Sequence, residues 1–301
     1  MQAKNERIGE EYISLSEDGR VPFYRFGPGP FGLPGTATRT VVSQPENEPC
    51  GNGLCDICRA SGCRERQKIE AQTEGTPCFK VSGMRRISGR LRVHGAKHSV
   101  LPILAACVLC DSPVHLKRVP RLSDTGVSLR ILDSLGCTSA FSGSEAVVDA
   151  SGFYETRIPD RLVREMRSSV IFLGSVAARA GEASLCLPGG CELGARPVDL
   201  HLMGLRALGM DIRERGEKLY ATHQGLRGAE IRLPFPSVGA TENILLAAVC
   251  AEGKTVLRGA AREPEIVDLC LFLRQCGANI VGEGSPTIYI EGVKRLHGTE
   301  Y

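Results

Sequence analysis

A cysteine and an arginine in one loop are the residues of this chain best suited to chemistry. The segment Leu185–His201, LCLPGGCELGARPVDLH, places Cys191 after two glycines and Arg196 five residues later. Prolines and glycines on both sides indicate a loop rather than the interior of a helix or strand. A nearby guanidinium lowers the pKa of a thiol and binds anionic groups. From these residues alone, a reactive thiol and an ordinary surface turn are both open.

A second group of cysteines near the start of the chain has the spacing C-x4-C-x2-C-x4-C, formed by Cys50, Cys55, Cys58 and Cys63. Thiolates this dense in a reducing compartment bind Zn²⁺ or an iron–sulfur cluster. The flanking spacings match neither a standard zinc finger nor a ferredoxin motif. We take these residues as a candidate metal site, with zinc, iron–sulfur and a metal-free cysteine-rich tail as the alternatives.

The composition excludes several classes of partner. The 301 residues are 42% hydrophobic, and 37 Lys+Arg against 34 Asp+Glu give a net charge of +3. This charge is too small to indicate nucleic-acid binding. No apolar stretch approaches the length of a membrane span, and the charged N-terminus does not have the pattern of a signal peptide. We predict a cytoplasmic protein without nucleic-acid or membrane partners.

The elements that must position the loop fall in the later part of the chain. Residues 1–78 are rich in Pro, Gly and Cys, and we predict a partly disordered extension there. After it, an apolar helix, a strand, an amphipathic helix and a hairpin recur three times. The second helices of the three copies end alike, at Leu135-Gly136, Leu208-Gly209 and Cys276-Gly277.

A glycine at each of these positions is typical of a helix that ends in a left-handed residue. A period of this size indicates one supersecondary unit that is repeated around a shared core. We predict an α/β (α+β) domain over residues 79–301, with repeats over roughly 95–159, 160–225 and 237–295.

Five blocks of the sequence resemble the UDP-N-acetylglucosamine enolpyruvyl transferases. They are GAKHSVLPILAACVL, VREMRSSVIFLGSVAARAG, LPGGCELGARPVDLHLMGL, SVGAT and AAREPEIVDLCLFL, and the resemblance runs from about Phe79 to Tyr301. It implies a first domain of three βαβαββ repeats around buried helices, which is half of a two-domain inside-out barrel. The implied reaction moves the enolpyruvyl group of phosphoenolpyruvate to the 3′-hydroxyl of UDP-N-acetylglucosamine and releases phosphate. This is the first committed step of peptidoglycan synthesis, which serves cell shape and division, and it requires no cofactor.

The resemblance also implies catalytic residues. Cys191 matches the cysteine that protonates the methylene of phosphoenolpyruvate or adds covalently to the substrate. The antibiotic fosfomycin alkylates the same cysteine. Lys97 and Arg196 match cations that hold the phosphate and carboxylate of phosphoenolpyruvate, and Arg167 matches a further active-site arginine. Positive charge suits a substrate and a transition state that are both anionic.

The implied nucleotide site consists of two short segments. Pro197, Val198, Asp199 and Leu200 match the wall of the uracil and ribose pocket. Ser237, Val238 and Gly239 match a loop that contacts the diphosphate, where small residues permit close approach.

Two departures from the family leave alternatives open. His98 stands where the family has an asparagine that contacts the sugar, and an imidazole lacks the paired donor and acceptor of an amide. The family's second domain, which carries an aspartate base and a further arginine, has no counterpart here. We therefore expect a truncated or split enzyme that a separate chain could complete. The alternative is a catalytically incomplete nucleotide-sugar-binding or regulatory module with a cysteine-rich metal or redox extension.

Other residues have simpler interpretations. Five cysteines fall in apolar helical patterns and read as small core residues: Cys107, Cys110, Cys250, Cys270 and Cys276. Cys137 and Cys186 read as structural residues at strand positions. His201 reads as helix-start packing or capping, and Thr241 as a candidate helix cap.

Overall fold

A computed structural model of the chain describes residue 90, residues 93–187 and residues 198–301. The chain divides into two compact units, Met1–Val93 and His94–Tyr301, and the second contains nearly all of the described residues. The predicted extension over residues 1–78 and its boundary at residue 79 lie outside the described residues.

The first repeat contains two helices and a three-stranded sheet. Its elements are α1 (Lys97–Ala106), a 3-10 turn (Cys107–Leu109), β1 (Val114–Leu116), α2 (Ser123–Ser134), β2 (Thr138–Ser142) and β3 (Glu145–Asp149). The strand order is β1-β3-β2, and both pairings are antiparallel.

The second repeat has the same order, but its first helical stretch is interrupted. Its elements are α3 (Asp160–Glu165), a 3-10 turn (Arg167–Ile171), α4 (Phe172–Ala180), β4 (Glu182–Cys186), α5 (Asp199–Ala207), β5 (Asp211–Arg215) and β6 (Lys218–Thr222). Met166 has extended backbone angles, φ −134° and ψ 111°, and separates α3 from the 3-10 turn. The sheet has the order β4-β6-β5.

The third repeat has one more strand. Its elements are β7 (Glu230–Arg232), α6 (Val238–Ala248), β8 (Lys254–Arg258), α7 (Pro264–Gln275), β9 (Asn279–Val281) and β10 (Thr287–Glu291). The sheet has the order β7-β8-β10-β9, with β7 parallel to β8 and the other pairs antiparallel.

All three sheets have a parallel segment beside their first strand. In the third repeat this segment is β7, and in the second it is reduced to a bridge between Arg157 and Ser184. In the first repeat it comes from the end of the chain, where Glu300 bridges to His115 in parallel. Counting this segment, the second and third repeats have the βαβαββ order that the resemblance implies, and the first repeat has the same arrangement in space.

Three helices, α1, α4 and α6, form the interior. Within them the runs 100–106, 172–177 and 240–248 are buried at every position. A helix that is apolar on all sides is buried on all sides. The second helices α2, α5 and α7 are amphipathic and expose one face. No helix of the described ranges has both the length and the apolarity needed to cross a membrane.

The predicted helix-ending glycines and core cysteines are confirmed. Gly136, Gly209 and Gly277 have φ of 91°, 99° and 101°, which is the left-handed region. The described cysteines are free thiols, and all are buried except Cys250, which is half-buried.

A close helix contact joins α4 to α6 through Gly174 and Asn243. The Gly174 N–H donates to Asn243 Oδ1 at 2.8 Å, and Asn243 Nδ2 donates to the carbonyl oxygen of Val170 at 2.9 Å. A Cβ atom at position 174 would lie 2.2 Å from Asn243 Oδ1. The absence of a side chain on Gly174 is therefore a requirement of this packing.

A carboxyl group lies in the same core. Glu242, in the second turn of α6, is only 6% exposed. Burial, and secondarily the negative charge of Glu265, raise the pKa of Glu242 to about 8. An ionised carboxylate is costly in such a place, so the neutral acid is the favoured form at neutral pH.

We expect Gly174→Ala to destabilise the fold by about 3 kcal/mol, because the methyl group overlaps Asn243 and the buried hydrogen bond is lost. Gly126→Ala is the matched control, since Gly126 also lies in a helix and nothing is within 4 Å of a Cβ there. The control should gain about 0.5–1 kcal/mol from helix propensity. Urea unfolding measures both, and equal midpoints for the two variants would contradict the packing described.

We expect Glu242→Gln to remove a pH dependence of stability. Since the folded pKa is raised, the folded state retains the proton longer than the unfolded chain, and wild-type stability falls as the pH rises from about 4.5 to about 8. At pH 8 the glutamine variant should be more stable than wild type by up to about 4 kcal/mol, with little difference at pH 4.5. Unfolding free energies across this range test the prediction. The exposed Glu252→Gln is the control, and a difference that does not vary with pH would refute the assignment.

Candidate active site at the helix amino termini

Every sequence-predicted site residue that the structure describes lies at or next to the amino end of a helix. Lys97 and His98 begin α1, Arg167 begins the 3-10 turn before α4, and Ser237 directly precedes α6. The remaining ones are Val198, Asp199 and Leu200 at the start of α5, and Val238 and Gly239 in the first turn of α6. A helix amino terminus carries unpaired N–H groups and a partial positive charge, which favour anions.

Two side-chain contacts hold the amino end of α1 close to the amino ends of α2 and α7. The Lys97 ammonium forms an ion pair with Asp124 in the first turn of α2. His98 Nδ1 lies 3.6 Å from Glu265 Oε1, in the first turn of α7. Both basic side chains are substantially exposed, so these contacts leave them accessible to a ligand.

The start of α6 is joined to its neighbours by two further contacts. Thr241 Oγ1 accepts from the backbone N–H of Ala261, just before α7, at 3.1 Å. The imidazole of His201, in the first turn of α5, lies against Gly239. The amino ends of α1, α2, α5, α6 and α7 therefore form one continuous cluster.

The cap of α6 differs from the expectation. Ser237 is the N-cap residue, and its Oγ accepts from the backbone N–H of Ala240 at 3.4 Å. Thr241, the predicted candidate cap, is already inside the helix and bonds Ala261 instead. Serine at this position satisfies one of the free helix N–H groups and leaves others for a ligand.

His201 is confirmed as a packing residue. It is 9% exposed, and its Nδ1 lies 3.1 Å from Asn243 Nδ2. Burial lowers the pKa of His201 to about 4, against a smaller opposite effect of Asp199. The imidazole is therefore neutral at physiological pH.

Sequence reasoning missed four residues of this region: Asp124, Glu242, Asn243 and Glu265. Glu242 and Asn243 had a visible signal, because two adjacent polar residues interrupt an otherwise apolar helix. Asp124 and Glu265 had none, since an acidic residue in the first turn is common in any helix.

Three predicted site residues, Cys191, Arg196 and Pro197, lie outside the described residues. The segment that contains them joins Leu187, after β4, to Val198, before α5. It therefore ends at a helix start that belongs to the cluster. Arg167 has an exposed side chain and forms no ion pair within the described ranges.

The candidate metal ligands Cys50, Cys55, Cys58 and Cys63 also lie outside the described residues. Within the described part of the chain, no group of three or more His, Cys, Asp or Glu side chains could hold a metal ion.

A cavity of about 610 Å³ lies at the carboxyl end of α5, away from the helix starts. It is lined by Ala207–Gly209, Asp211, Thr222–Gly225, Arg227 and Gly228. No sequence-predicted site residue lines it, and a helix carboxyl end disfavours anions. The cluster of helix amino termini is the better candidate site.

Comparison with known proteins gives the chain's relatives. The family model of EPSP synthase (3-phosphoshikimate 1-carboxyvinyltransferase) matches residues 81–301. The chain is 50% identical over 223 residues to UDP-N-acetylglucosamine 1-carboxyvinyltransferase 2 of Caldanaerobacter subterraneus subsp. tengcongensis, covering 74% of this chain and 54% of that protein. It is 45% identical over 225 residues to UDP-N-acetylglucosamine 1-carboxyvinyltransferase of Aeromonas salmonicida, covering 74% and 53%. The chain thus spans about half the length of the curated relatives it matches.

Solved structures support the same fold. The enolpyruvyl transferase NikO from Streptomyces tendae superposes with a TM-score of 0.65 at 26% identity, covering 73% of this chain and 52% of that one. An EPSP synthase from Acinetobacter baumannii superposes with a TM-score of 0.56 at 21% identity, covering 69% and 48%, and shows the fold alone. With the family model over residues 81–301 and three repeats of the expected order, the chain belongs to the EPSP synthase family of enolpyruvyl transferases.

Proposed function

We propose that this chain contributes to the transfer of an enolpyruvyl group from phosphoenolpyruvate to the 3′-hydroxyl of UDP-N-acetylglucosamine, in the cytoplasm and in peptidoglycan synthesis. The observation that carries the proposal is the meeting of helix amino termini at residues that match the family's substrate contacts. The names of relatives that are 45–50% identical favour the uridine sugar over shikimate as the acceptor.

The electrostatics suit two anionic substrates. Phosphoenolpyruvate carries a phosphate and a carboxylate, and the uridine sugar carries a diphosphate. Lys97, Arg167 and Arg196 are the proposed cations for phosphoenolpyruvate. Lys97 is held by Asp124 in the structure described here and is half exposed, so it can exchange this partner for a substrate anion.

The nucleotide is proposed to lie between α5 and α6. Leu200 is buried and Val198 half-buried, so they form an apolar wall at the start of α5, with Pro197 preceding them. Asp199 is exposed and available to hydrogen-bond the uracil. The free N–H groups of Val238 and Gly239, beside Ser237, are the proposed diphosphate contacts.

The reaction forms a bond between the acceptor hydroxyl oxygen and C2 of phosphoenolpyruvate, while C3 gains a proton. The C2–O bond to phosphate then breaks, and C3 loses a proton to restore the double bond. We assign the proton donor at C3, or a covalent adduct at C2, to Cys191, which would also make it the site of fosfomycin alkylation. No residue of this chain is assigned as the base for the hydroxyl proton, which a separate chain could supply.

The second candidate function is a nucleotide-sugar-binding or regulatory module. It is favoured by the free backbone N–H groups at the amino end of α6, which can bind a diphosphate without any catalytic group. It keeps the contacts of α5 and α6 and makes no use of Cys191.

Phosphate release distinguishes the two functions. We expect the full chain, given both substrates and the second domain of a relative as a separate chain, to release phosphate, and Cys191→Ala to lower the rate at least about 100-fold because the acid or nucleophile is lost. Cys250→Ala is the control, since its half-buried thiol lies at the end of α6. Binding of UDP-N-acetylglucosamine without phosphate release would support the binding module, and absence of both would reject the two functions together.

His98 provides a test of sugar recognition. We expect His98→Asn to tighten UDP-N-acetylglucosamine binding about threefold to tenfold, because an amide presents a donor and an acceptor together. His94→Asn, also exposed, is the matched control and should have no effect. Calorimetric titration measures both. If the His98 variant binds as wild type does, His98 does not contact the sugar.

A further inference from the structure

A carboxylate accompanies the exposed imidazole of His98 at the cluster of helix amino termini. His98 lies in the first turn of α1, and 72% of its side chain is exposed. Its Nδ1 lies 3.6 Å from Oε1 of Glu265, in the first turn of α7, whose side chain is 17% exposed. Because Nδ1 faces this carboxyl group, Nε2 on the far side of the ring faces away from it. The proposed substrate contacts make no use of this pairing.

Glu265, rather than its neighbour Glu242, carries the negative charge. Burial, and secondarily the negative charge of Glu265, raise the pKa of Glu242 to about 8. Glu242 therefore keeps its proton at neutral pH, and the more exposed Glu265 is the carboxylate. The positive end of α7 also favours a carboxylate in the first turn of that helix. His98 is thus paired with an ionised group.

This carboxylate determines which ring nitrogen of His98 is the donor. A carboxylate can only accept, so the nitrogen that faces it carries the proton when the ring is neutral. Nε2 then presents a lone pair at an exposed position and is the acceptor. The distance of 3.6 Å is longer than a hydrogen bond, and contacts of this kind tighten when a substrate enters. An imidazole held at Nδ1 by a carboxylate is the arrangement of a histidine that acts as a general base.

The other charges at these helix starts do not oppose the pair. Lys97, next to His98, forms an ion pair with Asp124 in the first turn of α2, so the two together contribute little net charge. Glu242 on α6 is neutral. The carboxylate of Glu265 is therefore the charge that acts on the ring, and it stabilises the imidazolium that forms when Nε2 takes up a proton.

We propose that His98 is a general base for the acceptor hydroxyl in enolpyruvyl transfer, with Glu265 as its positioning residue. The proposal rests on the proposed function for the identity of the acceptor. An imidazole accepts a proton near neutral pH, which the asparagine amide of the family at this position does not do. The proposal therefore gives the substitution of histidine for asparagine a chemical consequence.

The proton balance of the step is complete. The hydroxyl proton passes to Nε2 of His98 while the hydroxyl oxygen forms its bond to C2 of phosphoenolpyruvate, and C3 takes a proton from the Cys191 thiol. The C2–O bond to phosphate then breaks, and C3 returns its proton to the Cys191 thiolate. The imidazolium gives its proton to the departing phosphate, so both side chains end in their starting states.

Phosphate release in a complemented system tests the base. The full chain is combined with the second domain of a relative as a separate chain, whose own aspartate base is either intact or replaced by asparagine. With the replaced domain, wild type should keep the rate within about tenfold of that with the intact domain, and His98→Asn should lower it at least about 100-fold. With the intact domain, His98→Asn should stay within about threefold of wild type, because the aspartate serves as the base. His94→Asn is the matched control with both domains.

Binding separates the lost base from a lost substrate. His98→Asn should bind UDP-N-acetylglucosamine at least as tightly as wild type in calorimetric titration, so its loss of rate is a loss of kcat. If the replaced domain stops phosphate release by wild type as strongly as by His98→Asn, His98 is not a base, and only this proposal fails. If no combination releases phosphate, the transfer reaction and this proposal fail together.

The imidazole tautomer tests the positioning role of Glu265 without catalysis. For the full chain alone at pH 8, the ¹⁵N spectrum of His98, identified by its loss in His98→Asn, should show a protonated Nδ1 and an unprotonated Nε2. In Glu265→Ala the proton should move largely to Nε2, while the exposed Glu263→Ala, also at the start of α7, should leave the spectrum unchanged. A wild-type ring with its proton on Nε2, or a spectrum of folded Glu265→Ala that equals that of wild type, would overturn the proposal.

Discussion

The side-chain amide of Asn243 is the interaction on which the interior of the molecule depends. It bonds the backbone on both sides of the start of α4, at Gly174 and Val170, and the side chain of His201 on α5. Two segments far from α6 in the sequence, the start of α4 and the start of α5, are thereby held at defined distances from it. An amide can do this because it has both donors and an acceptor, and every one of these contacts is used. In an apolar core each lost partner would leave a desolvated group, so the arrangement is stable only as a whole.

The same packing explains why the candidate site is where it is. The three interior helices are buried along most of their length, and a polar side chain there, such as that of Asn243, bonds other parts of the core instead of facing a ligand. Their ends are different, because the first N–H groups of a helix have no partner within the helix. When several helix starts meet at one place, the unpaired donors and the partial positive charges add together. The anion binding that we propose is then a consequence of how the repeats pack, and Lys97 adds a full charge to it.

Acidic groups limit this positive potential. Asp124 pairs with Lys97, and Glu265 lies near both His98 and the buried Glu242. Glu242 avoids a net cost by remaining protonated, which the neighbouring negative charge favours. The region therefore combines exposed cations with a neutral acid and a neutral histidine beneath them. Such a site can be occupied by an anion without leaving an unpaired charge in the core.

The sequence by itself determined the repeat, the element order and the positions of the helix ends. These follow from local causes: apolar periodicity sets each helix, and the glycines at positions 136, 209 and 277 adopt the left-handed conformation that ends it. The sequence also determined the family, because the matched blocks are long.

The sequence did not reveal the parallel segment beside each first strand, since a bridge such as that from Glu300 to His115 joins distant parts of the chain. Only the tertiary structure decided that His201 meets Asn243 and that Glu242 lies near Glu265. Tautomer and protonation state depend on such contacts, because they are properties of an environment that distant residues build together.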